Sequence, residues 1–179
     1  MTDNLQTSFT AVRDVKLAYI DVGTGPTVLL LHGFPFDKSM WAEQTDELTA
    51  AGFRIIAPDL RGFGETKPTS EISTMDDMAH DAAGLLEQLQ IDQVIVCGLS
   101  MGGYVAFEFA HLFPARVHAL ILAGTRAPAD NEQEKAAENS RCRRCCAPEW
   151  SRLALRHCRN CLRSGHAQRN RTWSSEFGK

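Results

Sequence analysis

The sequence Gly98-Leu99-Ser100-Met101-Gly102-Gly103 stands between an apolar run and a helical pattern. The run before it, Val94–Cys97, predicts a buried strand, and the residues after it predict a helix that begins near residue 103. A Gly-x-Ser-x-Gly turn between a strand and a helix is typical of a nucleophile elbow, in which a strained serine stands above the edge of a sheet. The glycines on either side would let strand and helix approach closely, because a Cβ there would collide. Ser100 is therefore the predicted nucleophile.

The composition of the whole chain is that of an ordinary globular protein. Of its 179 residues, 44% are hydrophobic and 23% are charged. No stretch approaches the ~20 apolar residues of a membrane span. The first six residues carry neither a basic region nor an apolar run, so we expect a cytoplasmic location and no membrane partner.

The composition changes near residue 136. Residues 1–136 carry 9 basic and 19 acidic side chains, whereas residues 137–179 carry 10 and 3. The second segment also holds five of the six cysteines and contains no valine, isoleucine, methionine, tyrosine or aspartate. We therefore expect a folded part over 1–136 and an irregular or disordered Arg/Cys-rich tail over 137–179. Translation in a shifted reading frame would also give a tail of this composition.

Strand and helix patterns alternate through the first part of the chain. The predicted strands are 7–13 and 15–22, joined as a hairpin, then 27–31, 53–57, 94–97 and 117–122. The predicted helices are 39–51, capped by Ser39, then 74–90, capped by Thr74, and 103–113. This alternation predicts an α/β fold with a mostly parallel, doubly wound sheet and helices on both faces. We expect the fold to end after its sixth strand.

Three motifs follow three of the predicted strands in a fixed order. They are His32-Gly33-Phe34-Pro35, Asp59-Leu60-Arg61-Gly62-Phe63-Gly64 and the serine turn. Together, behind a leading hairpin, they resemble the α/β-hydrolase fold superfamily, and within it the small bacterial esterase, lactonase and haloperoxidase-like branch. The resemblance covers residues 8–136, approximately. It implies a serine hydrolase that acts on a small ester, lactone or related acyl substrate, without a cofactor or a metal.

The resemblance also implies roles for the residues around Ser100. The backbone N–H groups of Phe34 and Met101 would form the oxyanion hole that stabilises a tetrahedral intermediate. Met101 suits this role because the first N–H groups of a helix have no partner within it. Other positions would support the loops and would not transfer protons. These supporting positions are His32, Gly33, Asp59, Arg61, Gly98 and Gly102.

The acid and the base that such a serine requires are not found. In the family they follow the serine along the chain, acid before histidine, but only 57 residues follow Leu122. His166, which follows a glycine, is a candidate base without a preceding strand, and Asp130 is a candidate acid. The alternative function is therefore a catalytically inert fragment or a non-enzymatic binding module.

The tail and the last strand suggest other partners. Two Cys-x2-Cys pairs would suit a tetrahedral zinc site, although their 12-residue spacer is shorter than the usual ~15–20 residues. The four cysteines are Cys142, Cys145, Cys158 and Cys161.

Nucleic-acid binding is not expected, because the arginines are not interleaved with aromatic residues. The sixth strand would leave an apolar edge, and this edge predicts self-association.

Overall fold

The computed structural model describes residues 6–68 and 73–125, and the strands of this part form one six-stranded sheet. The strands are β1 (Thr7–Val12), β2 (Val15–Val22), β3 (Thr27–Leu31), β4 (Arg54–Pro58), β5 (Val94–Leu99) and β6 (Val117–Ala123). The helices are α1 (Ala42–Ala50), α2 (Met75–Gln88) and α3 (Met101–Leu112), with 3₁₀ turns at Lys38–Trp41 and Pro114–Arg116. The predicted tail, with His166 and the four paired cysteines, lies outside the described residues, as does Asp130.

The strands are arranged in the order β1-β2-β4-β3-β5-β6. The pairs β1–β2 and β2–β4 are antiparallel, whereas β4, β3, β5 and β6 run parallel to one another. The chain passes from β3 to β4 on one side and then crosses to β5 on the other side. Such a reversal leaves a crevice at the carboxyl ends of the strands, where ligands bind in open α/β sheets. The predicted α/β fold with its mostly parallel sheet is confirmed.

The helices lie on both faces of the sheet. Side chains alternate between faces along a strand, and the fully buried strand β3 shows both environments. Leu29 and Leu31 join the core under α2 and α3, whereas Val28 and Leu30 join the core on the side of α1. Each such buried aliphatic side chain contributes about 1.5–3 kcal/mol to folding. The continuous apolar run that predicted β3 therefore reflects burial on two faces.

The two predicted helix caps have different outcomes. Thr74 caps α2 as predicted, since its hydroxyl accepts from the N–H of Asp77 at 3.1 Å and the Asp77 carboxylate accepts from the N–H of Thr74 at 3.2 Å. The Ser39 cap is wrong. The cap is Asp37, whose carboxylate accepts from the N–H of Ser39 at 2.8 Å. The charged oxygen two residues earlier is the better acceptor, so the 3₁₀ turn begins at Lys38 and precedes α1.

Strand β6 is the exposed edge of the sheet. Within the described ranges it pairs with β5 alone, and its side chains Leu120, Ile121 and Leu122 are 37%, 50% and 39% exposed. Successive residues point to opposite faces, so apolar surface is uncovered on both. These are the side chains that the predicted self-association would use.

None of the helices in the described part of the chain is long and apolar enough to cross a bilayer.

Candidate active site

Ser100 lies at the apex of a sharp turn between β5 and α3. Its backbone has φ 51° and ψ −113°, a conformation that costs about 1–3 kcal/mol for a residue with a side chain. Two hydrogen bonds hold it there. The N–H of Ser100 donates to the carbonyl of Ala123 on β6, and the N–H of Gly103 donates to the carbonyl of Ser100, both at 2.9 Å. The side chain is exposed at the carboxyl edge of the sheet.

The glycines of the elbow are required by close backbone contacts. A Cβ on Gly98 would meet the carbonyl of Gly102, and a Cβ on Gly102 would meet the carbonyl of Leu31. Neither obstacle is a side chain that could rotate away. The start of α3 therefore packs directly on the ends of β3 and β5, and this packing sets the height of Ser100 above the sheet.

The sheet register brings the loop after β3 against the elbow. Leu31 of β3 pairs with Gly98 of β5. A Cβ on Gly33 would lie 3.2 Å from the carbonyl oxygen of Leu99 and 3.5 Å from Cβ of Ser100. No hydrogen bond among the described residues engages the N–H of Phe34 or of Met101. Both groups are thus available to an oxyanion, and their catalytic role stays a prediction.

His32 is fully buried, and both of its ring nitrogens are engaged. Nε2 accepts from the N–H of Leu60 at 2.9 Å, which leaves the proton on Nδ1, and Nδ1 donates to the carbonyl of Gly33 at 3.1 Å. Desolvation by burial lowers the pKa of His32, so the imidazole is neutral. The ring has no free lone pair for Ser100. This geometry supports a structural role for His32 in the loop and argues against proton transfer.

The lowered pKa of His32 predicts a stability that falls in mild acid. The unfolded chain takes up a proton at this residue below pH ~6.5, whereas the folded chain does not, so stability is complete above that pH and declines as the pH falls. Between pH 7.5 and 5.5 we expect a loss of at most about 1.4 kcal/mol from this group. Urea unfolding at both pH values measures it. His32→Gln, whose amide cannot titrate, should show a smaller loss, and an equal loss in the two proteins would contradict the prediction.

Asp59 joins the loop after β4 to the loop after β3. Its carboxylate is fully buried and accepts three hydrogen bonds at 2.8 Å, from the backbone N–H and Nζ of Lys38 and from the N–H of Glu65. Gly64, at φ 52°, leaves room for this carboxylate, which a Cβ would strike. The predicted loop-fixing role of Asp59 agrees with these contacts.

Arg61 joins the same loop to α2 and to the β1–β2 hairpin. Its guanidinium donates to both oxygens of Asp81, each at 2.8 Å, and to both oxygens of Asp14 at 2.8 and 3.1 Å. The hydrogen bonds to Asp81, followed by those to Asp14, raise the pKa of Arg61, which stays charged. Its contacts are with other parts of the scaffold, as a loop-fixing role requires.

Two residues of this framework were missed in the sequence, Lys38 and Asp81. Asp81 had a signal, because it lies on the buried stripe of α2 beside Met78 and Ala82. A carboxylate on an apolar stripe requires a buried partner. Lys38 had no such signal, because its partners Asp59 and Glu65 lie more than twenty residues away in another loop.

No histidine of the described ranges can act as the base for Ser100. His80 packs against Phe113, just beyond the far end of α3. His111 lies ten residues along α3, about 15 Å from its start. His118 is near the beginning of β6, at the opposite edge of the sheet from Ser100. The same ranges hold no cluster of three or more potential metal ligands.

A sequence profile for the alpha/beta hydrolase fold matches residues 26–143. Among curated proteins, Epoxide hydrolase 2 of Siraitia grosvenorii is 42% identical over 109 residues, which cover 60% of this chain and 34% of that protein. The chain spans between 34% and 38% of the length of the first curated relatives that it matches.

Solved structures give the same fold. A thermophilic esterase from Thermogutta terrifontis is 40% identical with a TM-score of 0.73, covering 84% of this chain and 57% of the esterase. An epoxide hydrolase from Vigna radiata is 29% identical with a TM-score of 0.67, covering 72% of this chain and 41% of that protein. The profile match extends over most of the chain and includes all three motifs. This chain belongs to the α/β-hydrolase fold family.

Proposed function

We propose that this chain carries the nucleophile and the oxyanion hole of a serine hydrolase that cleaves a small ester, lactone or related acyl compound. One observation carries the proposal: an exposed serine stands on a strained turn, beside two backbone N–H groups that no other described residue engages. Ser100 Oγ would attack the acyl carbon, and the carbonyl oxygen would become an oxyanion that accepts from Phe34 and Met101. The alcohol would leave, and water would then hydrolyse the acyl-enzyme.

The proposal requires a base that takes the proton from Ser100. Among the described histidines, His32 begins the loop that carries Phe34, but both of its ring nitrogens are already engaged in hydrogen bonds. The described histidines therefore do not supply the base, and His166, which lies outside the described residues, stays a candidate from the sequence alone. A serine hydrolase without its base retains only the ~10³–10⁴-fold acceleration that binding and the oxyanion hole provide.

Epoxide hydrolysis is the second candidate, because several curated relatives carry that name. The nucleophile argues against it. If Ser100 Oγ opened an epoxide ring, the product would be an ether on the enzyme, and an ether has no acyl carbon for water to attack. The enzyme would stop after one event. Attack on an ester gives an acyl-enzyme that water can cleave, so a serine at the elbow favours acyl substrates.

Parallel assays with an ester and an epoxide test the proposal. We expect the chain to hydrolyse p-nitrophenyl acetate above the buffer rate and to form no diol from styrene oxide. A fluorophosphonate probe should label the protein once, and peptide mass spectrometry should place the label on Ser100. Diol formation without ester hydrolysis would favour the epoxide reaction. Absence of both activities and of the label would favour the inert fragment or binding module.

A further inference from the structure

The loop that carries Phe34 is attached at both of its ends to the loop after β4. At its start, the Nε2 of His32 accepts from the N–H of Leu60. At its end, Lys38 binds Asp59 twice, through its backbone N–H to Oδ1 and through Nζ to Oδ2, both at 2.8 Å. The Phe34 N–H lies between two fixed points.

Lys38 is the first residue of the 3₁₀ turn, and its charged side chain is almost completely buried. Its side chain is only 8% exposed, and the Asp59 side chain is fully buried. Desolvation alone would lower the pKa of the ammonium, but hydrogen bonds to Asp59 and Glu65 outweigh it and raise the pKa, so the charge persists. A buried ammonium is expensive to displace from its partners, because moving it leaves charges uncompensated. The end of the loop is therefore rigidly located.

The opposite side of the loop is limited by the elbow. Gly33 lies against Leu99 and Ser100, as the contacts of a Cβ placed there show. The elbow thus leaves little space on this side of the loop, and the contacts of Lys38 resist movement away from the nucleophile. An oxyanion donor must lie ~2.7–3.1 Å from the developing charge, and a misplacement of ~1 Å can cost 100-fold in rate.

We propose that Lys38 is a positioning residue, which fixes the Phe34 N–H relative to Ser100 by holding both oxygens of the Asp59 carboxylate. The effect of Lys38 on catalysis rests on the proposed function. The structural part of the inference, that the Lys38 ammonium holds the loop in place, is independent of catalysis.

Substitution of Lys38 by methionine tests the inference, because methionine keeps the length of the chain and the backbone N–H but removes the ammonium. We expect kcat for p-nitrophenyl acetate to fall about 10- to 100-fold, with KM changed less than about twofold. The backbone amides of residues 33–40 should exchange with solvent at least ~10-fold faster. Lys38→Arg, which keeps the charge, should restore most of kcat. The matched control is Lys67→Met, which replaces an exposed lysine of the segment that follows β4 and should behave as the unmodified chain.

The two readouts separate the inference from the proposed function. Faster exchange in Lys38→Met, in a chain that hydrolyses no ester at all, would support the positioning by Lys38 and refute the proposed function. Unchanged exchange would overturn the inference, and so would unchanged kcat in an active chain. If Lys38→Met does not fold, Glu65→Gln removes one of the two carboxylates that bind the ammonium, and the same changes are expected at smaller size.

Discussion

Substitution of Ser100 by alanine is expected to reduce ester hydrolysis about 100-fold or more and to end covalent labelling by a fluorophosphonate. The only atom removed is Oγ, and the described residues offer no replacement nucleophile beside it. Cys97 lies three residues earlier on β5, but desolvation by burial raises its pKa and suppresses the reactive thiolate. The loss of activity should therefore result from the removal of the Ser100 Oγ alone.

The fold should survive this substitution. Alanine keeps the Cβ and therefore the strain at φ 51°, so the free energy of unfolding should change by less than about 0.5 kcal/mol. Initial rates with p-nitrophenyl acetate and urea unfolding, measured on the same preparation, check both statements. Ser39→Ala is the matched control, since Ser39 is exposed and outside the elbow. Full turnover by purified Ser100→Ala would remove Ser100 from the mechanism.

Substitution of Arg61 by methionine is expected to destabilise the fold by about 3–5 kcal/mol. Arg61 and Asp81 are 4% and 2% exposed, and their side chains form two parallel hydrogen bonds. Without the guanidinium, the buried Asp81 carboxylate keeps among the described residues one cationic partner, Arg13, which lies 3.6 Å away and is 43% exposed. Such a loss is a large part of the total stability of a domain of this size.

A double variant identifies the cause of that loss. Arg61→Met with Asp81→Leu removes both buried charges of this pair, and well-packed apolar pairs often equal buried ion pairs in stability. We expect the double variant to recover most of the free energy lost by Arg61→Met alone. Asp14, which also binds Arg61, is 57% exposed and can be solvated by water. Urea unfolding of the unmodified chain, both single variants and the double variant completes the cycle. Additive losses would show that the two side chains are not coupled, and would contradict the prediction.

The sequence was most informative where structure is determined locally. The capping box of Thr74 and Asp77 lies within four residues, and the apolar run of β3 records burial on both faces without reference to any partner. The elbow was also local, because a strand, a serine between glycines and a helix follow one another directly. Sequence order alone was enough to place Ser100 at the carboxyl edge of the sheet.

Features that depend on distant residues could not be predicted in this way. Lys38 reaches Asp59 only because β3 and β4 are neighbours in the sheet, and nothing near Lys38 indicates that its ammonium is buried. The cap at Asp37 was missed because Asp37 and Ser39 are both good capping residues and stand two positions apart. Which of the two caps the turn depends on the path of the loop after β3. The acid and base were not found in the sequence, and the described residues do not provide the base.

The central position of β3 also has a consequence for biosynthesis. Leu31 pairs with Gly98, 67 residues further along the chain, so the nascent chain emerges from the ribosome with one edge of an apolar strand unpaired. At ~5–20 residues per second, about 3–13 s pass between the synthesis of the two residues. An unpaired apolar strand is a template for pairing with other chains, so the nascent chain is open to association during this interval. The strand order that brings Phe34 beside Ser100 thus delays assembly of the site until β5 has been made.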